Sequence, residues 1–241
     1  DGVDLAAVLA GTGTLSRDAI YWHYPHYANQ GSRPGGAVRA GNYKLIEYYE
    51  TGRQELFDVA KDISESRNLI LDQPEIAKQL AAKLAAWRES VGAKMPTPNP
   101  DYTPNPQAKD GTITLHARTA EVRGVMLRFE PLPHKNTLGF WVRKDDTAHF
   151  EFTLAKPGKF DVEVLQGCGK GSGGAEVELD IGGQKVTFTV EDTGGFQAFK
   201  ARTVGTVTLD KAGRVAASVT PKTKPGVAVM DLREIVLRPA H

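Results

Sequence analysis

The sequence predicts an α+β unit, a small antiparallel four-stranded sheet with one packed helix, followed by an all-β sandwich. Three observations carry this. Residues 20–59 hold four short apolar and aromatic runs parted by Gly, Pro and Asn. Residues 72–92 hold apolar side chains at helical spacing. Beyond a proline-rich stretch at residues 95–111 the apolar period changes from about 3.6 to 2.

The first runs are residues 20–24, 37–40, 43–49 and 55–59. Gly41-Asn42 and Thr51-Gly52 fall between consecutive runs, where a tight reversal needs a residue that tolerates positive φ. The four strands are therefore expected to form a meander. Ahead of them, Val3, Ala6 or Ala7, and Val8 or Leu9 approach helical spacing and stop at Gly11-Thr12-Gly13, so a short helix or a turn is expected there.

Residues 72–92 are a helix by several signals at once. Asp72 is placed to cap, Pro74 lies in the first turn, Glu75 stands in capping-box position, and Gly92 ends the run. Ile76, Leu80, Leu84, Trp87 and Val91 make an apolar face, with Lys78, Lys83 and Arg88 opposite. The sheet is expected to receive the apolar face.

Residues 95–111 contain five prolines and almost no apolar side chain, so they neither continue a helix nor fill a central strand. They are expected to be a semi-rigid linker. The boundaries that follow are 1–94 for the first unit, 95–111 for the linker and 112–241 for the second unit. In the latter, alternation shows at Phe150, Phe152 and Leu154, at Phe160, Val162 and Val164, at Val177, Leu179 and Ile181, at Val186, Phe188 and Val190, and at Val215, Ala217 and Val219. Glycine-bearing turns separate these strands, the pattern of an antiparallel sandwich.

Composition narrows the function classes. Thirty Lys and Arg against 29 Asp and Glu give a formal charge of +1, so no global field recruits nucleic acid or an anionic membrane. No apolar run is long enough for a spanning helix, and neither class of partner is expected. The lone Cys168 forms no internal disulfide and sits without metal-ligand spacing. Gly169-x-Gly171-x-x-Gly174 has the glycine spacing of a dinucleotide loop but precedes a strand rather than a helix, which argues against that use. Asp145-Asp146 and Asp192 are candidate calcium ligands on residue type alone, and adjacent Asp in a turn are usually solvated. No metal is assigned.

The order of motifs in residues 1–95 resembles a known family. "YWHYPHY", "AVRAGNYKLI", "GRQELFDVAKDISESRNL" and a helix ending near Trp87 are similar, in that order, to the C-terminal subdomain of the formylglycine-dependent (type I) sulfatases. Ile63 stands where that family's turn usually has proline. The opening "DGVDLAAVLAG" also resembles a sulfatase segment, and with no methionine at its start the chain is expected to be a C-terminal fragment whose residue 1 is internal to a longer protein. The resemblance implies a parent that hydrolyses sulfate esters, a secreted or periplasmic location, and a calcium ion and a formylglycine in a catalytic core missing here. That core is the partner it implies. A type I sulfatase forms its nucleophile in a C/S-x-P/A-x-R context, which Cys168 does not have. No catalytic residue is assigned in this chain.

A second resemblance covers residues 112–239. The stretch from "GFWVRKDDTAHFEF" through "AEVELDIGGQKVTFTVEDTGGF" to "GVAVMDLREIVL" resembles the galactose-binding-like jelly rolls that include many carbohydrate-binding modules. Trp141, Phe196 and Phe199 are the residues that would stack on a sugar ring, an apolar role between sheets being the simpler alternative. In the first unit the sulfatase resemblance places residues 25–36 at the substrate pocket. His23, His26, Tyr27, Asn29, Gln30 and Arg33 are then the candidates for binding a sulfated carbohydrate, and the competing reading of the histidines is a surface or interdomain pair. Arg39 and Lys44 match the family's strand motif and are expected to pair with carboxylates of the parent domain. A different class of function stays open: a non-catalytic carbohydrate-binding or scaffold protein that keeps a sulfatase-like subdomain.

Overall fold

The computed structural model describes residues 2–28 and 32–240. They divide into two compact units, residues 2–28 with 32–98, and residues 99–240. Helix α1 is a single turn, Ala6–Leu9.

Four strands follow in the first unit, β1 (Ala19–Tyr24), β2 (Gly35–Ala40), β3 (Tyr43–Tyr48) and β4 (Gln54–Asp58), paired in chain order and antiparallel. The expected meander is present. Gly41 takes the positive φ that its two-residue turn requires (φ 56). With Ala40 opposite Tyr43, the register runs back to Gly35 opposite Tyr48. Arg39 and Lys44 are cross-strand neighbours of like charge, a destabilising pair unless one is neutralised. Lys44 Nζ meets Glu65 Oε1 at 2.7 Å. Its partner is therefore within this unit.

Helix α2 (Pro74–Ser90) covers one face of the sheet, with Ala77, Leu80 and Leu84 buried against Ala19, Val38, Leu45 and Leu56. Trp87 stacks on Tyr21 with ring centres 4.8 Å apart. Three details differ from the sequence reading. Gln73, not Asp72, is the N-cap, without a side-chain cap bond, because the Asp72 carboxylate accepts from Arg67 Nη2 at 2.8 Å. Val91 lies beyond the last turn and is exposed. Arg88 faces the sheet, since its guanidinium meets Glu47 at 3.0 Å and lies 5.4 Å from the Tyr49 ring centre.

In the second unit, residues 105–107 lie along strand β9 (Thr147–Leu154). Pro106 bridges to Thr153, Asn105 Nδ2 donates to Glu151 O at 2.7 Å, and Gln107 Oε1 accepts from the backbone of Ala155 and Lys156. The remaining strands are β5 (Ile113–His116), β6 (Glu121–Arg123), β7 (Arg128–Glu130), β8 (Thr137–Gly139), β10 (Gly158–Cys168), β11 (Glu176–Ile181), β12 (Gln184–Thr189), β13 (Gly195–Leu209), β14 (Gly213–Pro221) and β15 (Asp231–Pro239). One sheet runs β13-β10-β15-β8-β7 with β5 also on β15, and the other runs β12-β11-β14-β9-β6. The core between them holds Phe152, Phe160, Leu179, Ile181, Ile235 and Leu237, each no more than 2% exposed. Apolar alternation places these side chains inward on both sheets, which makes the unit the β-sandwich the sequence predicts.

Asp146 is the second unit's main departure from expectation. It is 1% exposed, neither solvated nor set among further acidic ligands, and its carboxylate accepts from the backbone N–H of Val125, Met126 and Leu127 at 2.9 Å each. A buried carboxylate with three such donors fixes a loop. Gly124, at φ 125, comes so close that a Cβ there would collide with Asp146.

Candidate functional site

The candidate site of the first unit is the loop that leaves β1 and returns into β2. Asn29 and Gln30, named from sequence, lie outside the described residues. The others are placed in two groups.

His23 is held on both ring nitrogens. Nδ1 lies 2.6 Å from the Tyr49 hydroxyl and Nε2 lies 2.9 Å from the carbonyl of Lys94. Because a carbonyl only accepts, Nε2 carries the proton and Tyr49 donates to Nδ1. This imidazole fastens the chain after α2 to the edge strand, so it has no nitrogen left for a ligand. Gly36 makes the arrangement fit: a Cβ there would collide with the Tyr49 hydroxyl. Burial holds the Tyr49 phenol above its ordinary pKa, while Arg88 acts in the opposite sense.

His26, Tyr27 and Arg33 form the second group. His26 is exposed and meets Tyr24 edge-on with ring centres 5.4 Å apart. Tyr27 is 67% exposed, and its hydroxyl donates to Glu50 Oε1. Arg33 Nη1 donates to the other oxygen, Glu50 Oε2, at 3.0 Å. One carboxylate thus clasps both ends of the loop, and Ala28 N adds a bond to Ser32 O at 3.1 Å. The Arg33 Nε is buried without a hydrogen-bond partner. The geometry holds a phenol and a guanidinium together on Glu50, which balances the cation, with the exposed imidazole of His26 one residue before Tyr27.

Sequence reasoning missed Glu50 and Tyr49, although a signal existed. Counting back from the Gly41-Asn42 turn sets Gly35 opposite Tyr48 and carries Arg33 to Glu50. The backbone N–H of Tyr49, donating to Pro34 O at 3.0 Å, continues that register.

The aromatic candidates of the sandwich fare differently. Trp141 is fully buried, its indole N–H donating to Asp146 O at 2.9 Å, so it offers no face to a sugar. That assignment is corrected in favour of the core. Phe196 is half-buried over Gly169, where an added Cβ would approach its ring to within 3.0 Å at Cδ2. Phe199 is half-buried under the Arg233 guanidinium, 3.7 Å from its ring centre. Cys168 is fully buried, and burial with the nearby Asp192 and Asp231 pushes its thiol up to about 11. A buried thiol in that state is unsuited to nucleophilic work.

Among the described residues no group of three or more His, Cys, Asp or Glu is placed to hold a metal ion. The described residues thus offer no cluster for the calcium ion that the sulfatase resemblance implies in the parent, and no C/S-x-P/A-x-R stretch for its formylglycine is present in these residues. Among the described residues no helix is long and apolar enough to cross a membrane.

Comparisons with known proteins bear on the two units separately. The family model for N-sulphoglucosamine sulphohydrolase, C-terminal, matches residues 1–90. A curated sulfatase of Formosa agariphila is 28% identical over 99 residues, an alignment that takes in 36% of this chain and 18% of the relative. The chain thus spans less than a fifth of that relative's length. A solved family 35 carbohydrate binding module from Clostridium thermocellum is similar over 54% of this chain and 98% of its own, at 10% identity and a TM-score of 0.45. Insecticidal crystal protein Cry2Aa is similar over 54% of this chain and 21% of its own, at 14% identity and the same TM-score, 0.45.

Proposed function

We propose, from the premise that residues 1–90 are a sulfatase C-terminal domain, that this protein serves the hydrolysis of sulfate esters carried on carbohydrate. The observation that carries the reading is the Glu50 clasp. It holds Arg33 and Tyr27 together, with the exposed His26 next to Tyr27 in the chain. Guanidinium and imidazole N–H groups suit sulfate oxygens, and the phenol and carboxylate suit sugar hydroxyls. The loop binds and orients a saccharide in this reading, and it moves no proton in the cleavage step.

Cleavage of the sulfur–oxygen bond belongs to a sulfatase core with its own nucleophile and cation, which these 241 residues do not contain, since they hold no C/S-x-P/A-x-R stretch. We place that core against the sheet face opposite α2. Ile20, Trp22 and Tyr24 are exposed there at 41%, 46% and 53%. Arg39, cross-strand from Ile20, is exposed with no ion-pair partner among the described residues. An apolar patch beside an unneutralised cation fits a surface of apolar and acidic groups. Sulfated polysaccharide is extracellular material, so the protein acts in the periplasm or outside the cell.

Resonances of the chain titrated with a sulfated oligosaccharide test the reading directly. Shifts confined to residues 26–33, absent with the desulfated oligosaccharide and lost in His26→Ala, are expected. Equal shifts with both sugars, or none at this loop, would remove the substrate assignment. The same chain is expected to turn over no aryl or sugar sulfate, and turnover that survives chelation and Cys168→Ala would contradict the absence of catalytic machinery.

A further inference from the structure

The outer side of the six-stranded sheet carries a pair of carboxyl groups that the reading above does not use. Asp231 opens β15, is 5% exposed, and accepts from Gln197 Nε2 at 3.3 Å. Glu130 of β7 leans toward it. A Cβ built on Gly139 would collide with Glu130 Oε2 and come within 3.3 Å of Asp231 Oδ1. Both carboxyl groups therefore share the space that this glycine leaves open, and two ionised carboxylates in such a place repel strongly.

The element they join is weakly tied. Hairpin β7–β8 meets β15 at one register pair, Leu138 with Leu232. The rest of its hold is made by side chains. Arg233 donates to the carbonyls of His134 and Lys135 in the turn, at 2.7 and 2.6 Å, and Lys135 Nζ reaches Glu130 Oε1 at 2.7 Å. Arg128 lies 3.6 Å from the ring centre of Phe140, which follows β8 at φ 58, a strained conformation for an aromatic residue. We propose that Asp231 keeps a proton beside the ionised Glu130, that this neutral carboxyl latches the β7–β8 hairpin onto the six-stranded sheet, and that release of the proton to water sets two like charges together and loosens the hairpin and its turn.

The charged and titratable groups facing the pair are Arg128 from β7, His134 and Lys135 from the turn, Arg233 from β15 and the Cys168 thiol from β10, with the uncharged Gln197 from β13. Lys135 is paired with Glu130 and draws the Asp231 carboxyl down only as the last of its influences, and Arg233 is engaged with backbone, so burial and Glu130 prevail over the cations. Burial and the neighbouring Glu130 hold Asp231 at about 7, which puts the transition near neutrality.

Hydrogen exchange of the full chain, corrected for the intrinsic effect of pH, reads the latch. Amides of residues 128–139 are expected to exchange about fivefold faster at roughly pH 8.5 than at roughly pH 5.5, with those of β9 unchanged. Asp231→Asn and Glu130→Gln should abolish that difference, and His134→Asn should keep it. Equal protection at both pH values, a uniform change across the sandwich, or loss of the effect in His134→Asn would overturn the proposal. If the variants do not fold, carbon-13 titration of the wild-type carboxyl groups decides. Titration of Asp231 near neutrality is expected, and an Asp231 that titrates near pH 4 would overturn it.

Discussion

Tyr49 donates its hydroxyl hydrogen to Nδ1 of His23 across 2.6 Å, and this bond sets the tautomer that ties the imidazole to Lys94. His23→Ala removes two hydrogen bonds at once and leaves a half-buried phenol unsatisfied, so the first unit should lose about 1–3 kcal/mol. Urea unfolding of the full chain, followed by the fluorescence of a Trp22 and Trp87 unit in which Trp141 is replaced by Phe, checks this. An unchanged midpoint would deny the tie.

Glu50→Gln keeps the shape of the clasp and removes its charge. Tyr27 and Arg33 should then lose their shared acceptor, and residues 25–34 should become cleavable by a protease that spares the wild type. In an enzyme that carries the sulfatase core, His26→Ala should lower kcat/KM on a sulfated saccharide about ten- to a hundredfold, with less effect on a small aryl sulfate. Equal losses on both substrates would make the residue structural.

Asp145 and Asp146 are neighbours in sequence with opposite consequences. Asp146→Ala strips the acceptor from three backbone N–H groups and should destabilise the sandwich by about 2–4 kcal/mol, whereas Asp145→Ala, on an exposed side chain, should change stability by less than about 0.5 kcal/mol. Denaturant midpoints of the two variants make the comparison.

Such contrasts mark how far the sequence is legible. The meander and α2 were readable because Gly41-Asn42 and the spacing of Leu80 and Leu84 act locally. The sandwich was readable from strict alternation. His26 and Arg33 were also in view, since loop residues of those types announce themselves. What escaped was set by pairing at a distance: Glu50 opposite Arg33, Asp146 under residues 125–127, and Arg88 turned to Glu47 rather than to solvent. A polar residue's type does not say which buried donor waits for it. For Trp141 the apolar role that the sequence favoured holds, but its indole partner was not legible, because Asp146 lies five residues on in a turn with no helical or strand period.

Asp231 gives the sandwich a pH dependence of definite sign. Its carboxyl is raised, first by burial and then by Glu130, to about 7 from an ordinary 3.8. The folded chain therefore keeps a proton that the unfolded chain releases, so the contribution to stability is present at low pH and is lost as pH climbs from about 4 through about 7. The wild-type melting temperature should fall relative to that of Asp231→Asn across this window, and parallel curves would refute it.

Cys168 should resist thiol reagents until the sandwich unfolds, because it is buried and its thiol is raised to about 11. Labelling in native buffer and in urea distinguishes the two states. Cys168→Ala should cost about 1 kcal/mol and alter no ligand contact.

The last strand of the sandwich, β15, lies between β10 and β8 and also carries β5 on its edge, so the middle of the larger sheet is the latest part of the sandwich to be made. During synthesis β10 has only β13 for a neighbour, and its other edge waits for residues some seventy positions later, such as Ile235 opposite Val164. The first unit is different, since each of its strands meets a neighbour made just before it. A ribosome therefore releases a finished meander well ahead of an open sandwich, and the nascent protein carries an unpaired apolar edge until β15 arrives to fill it.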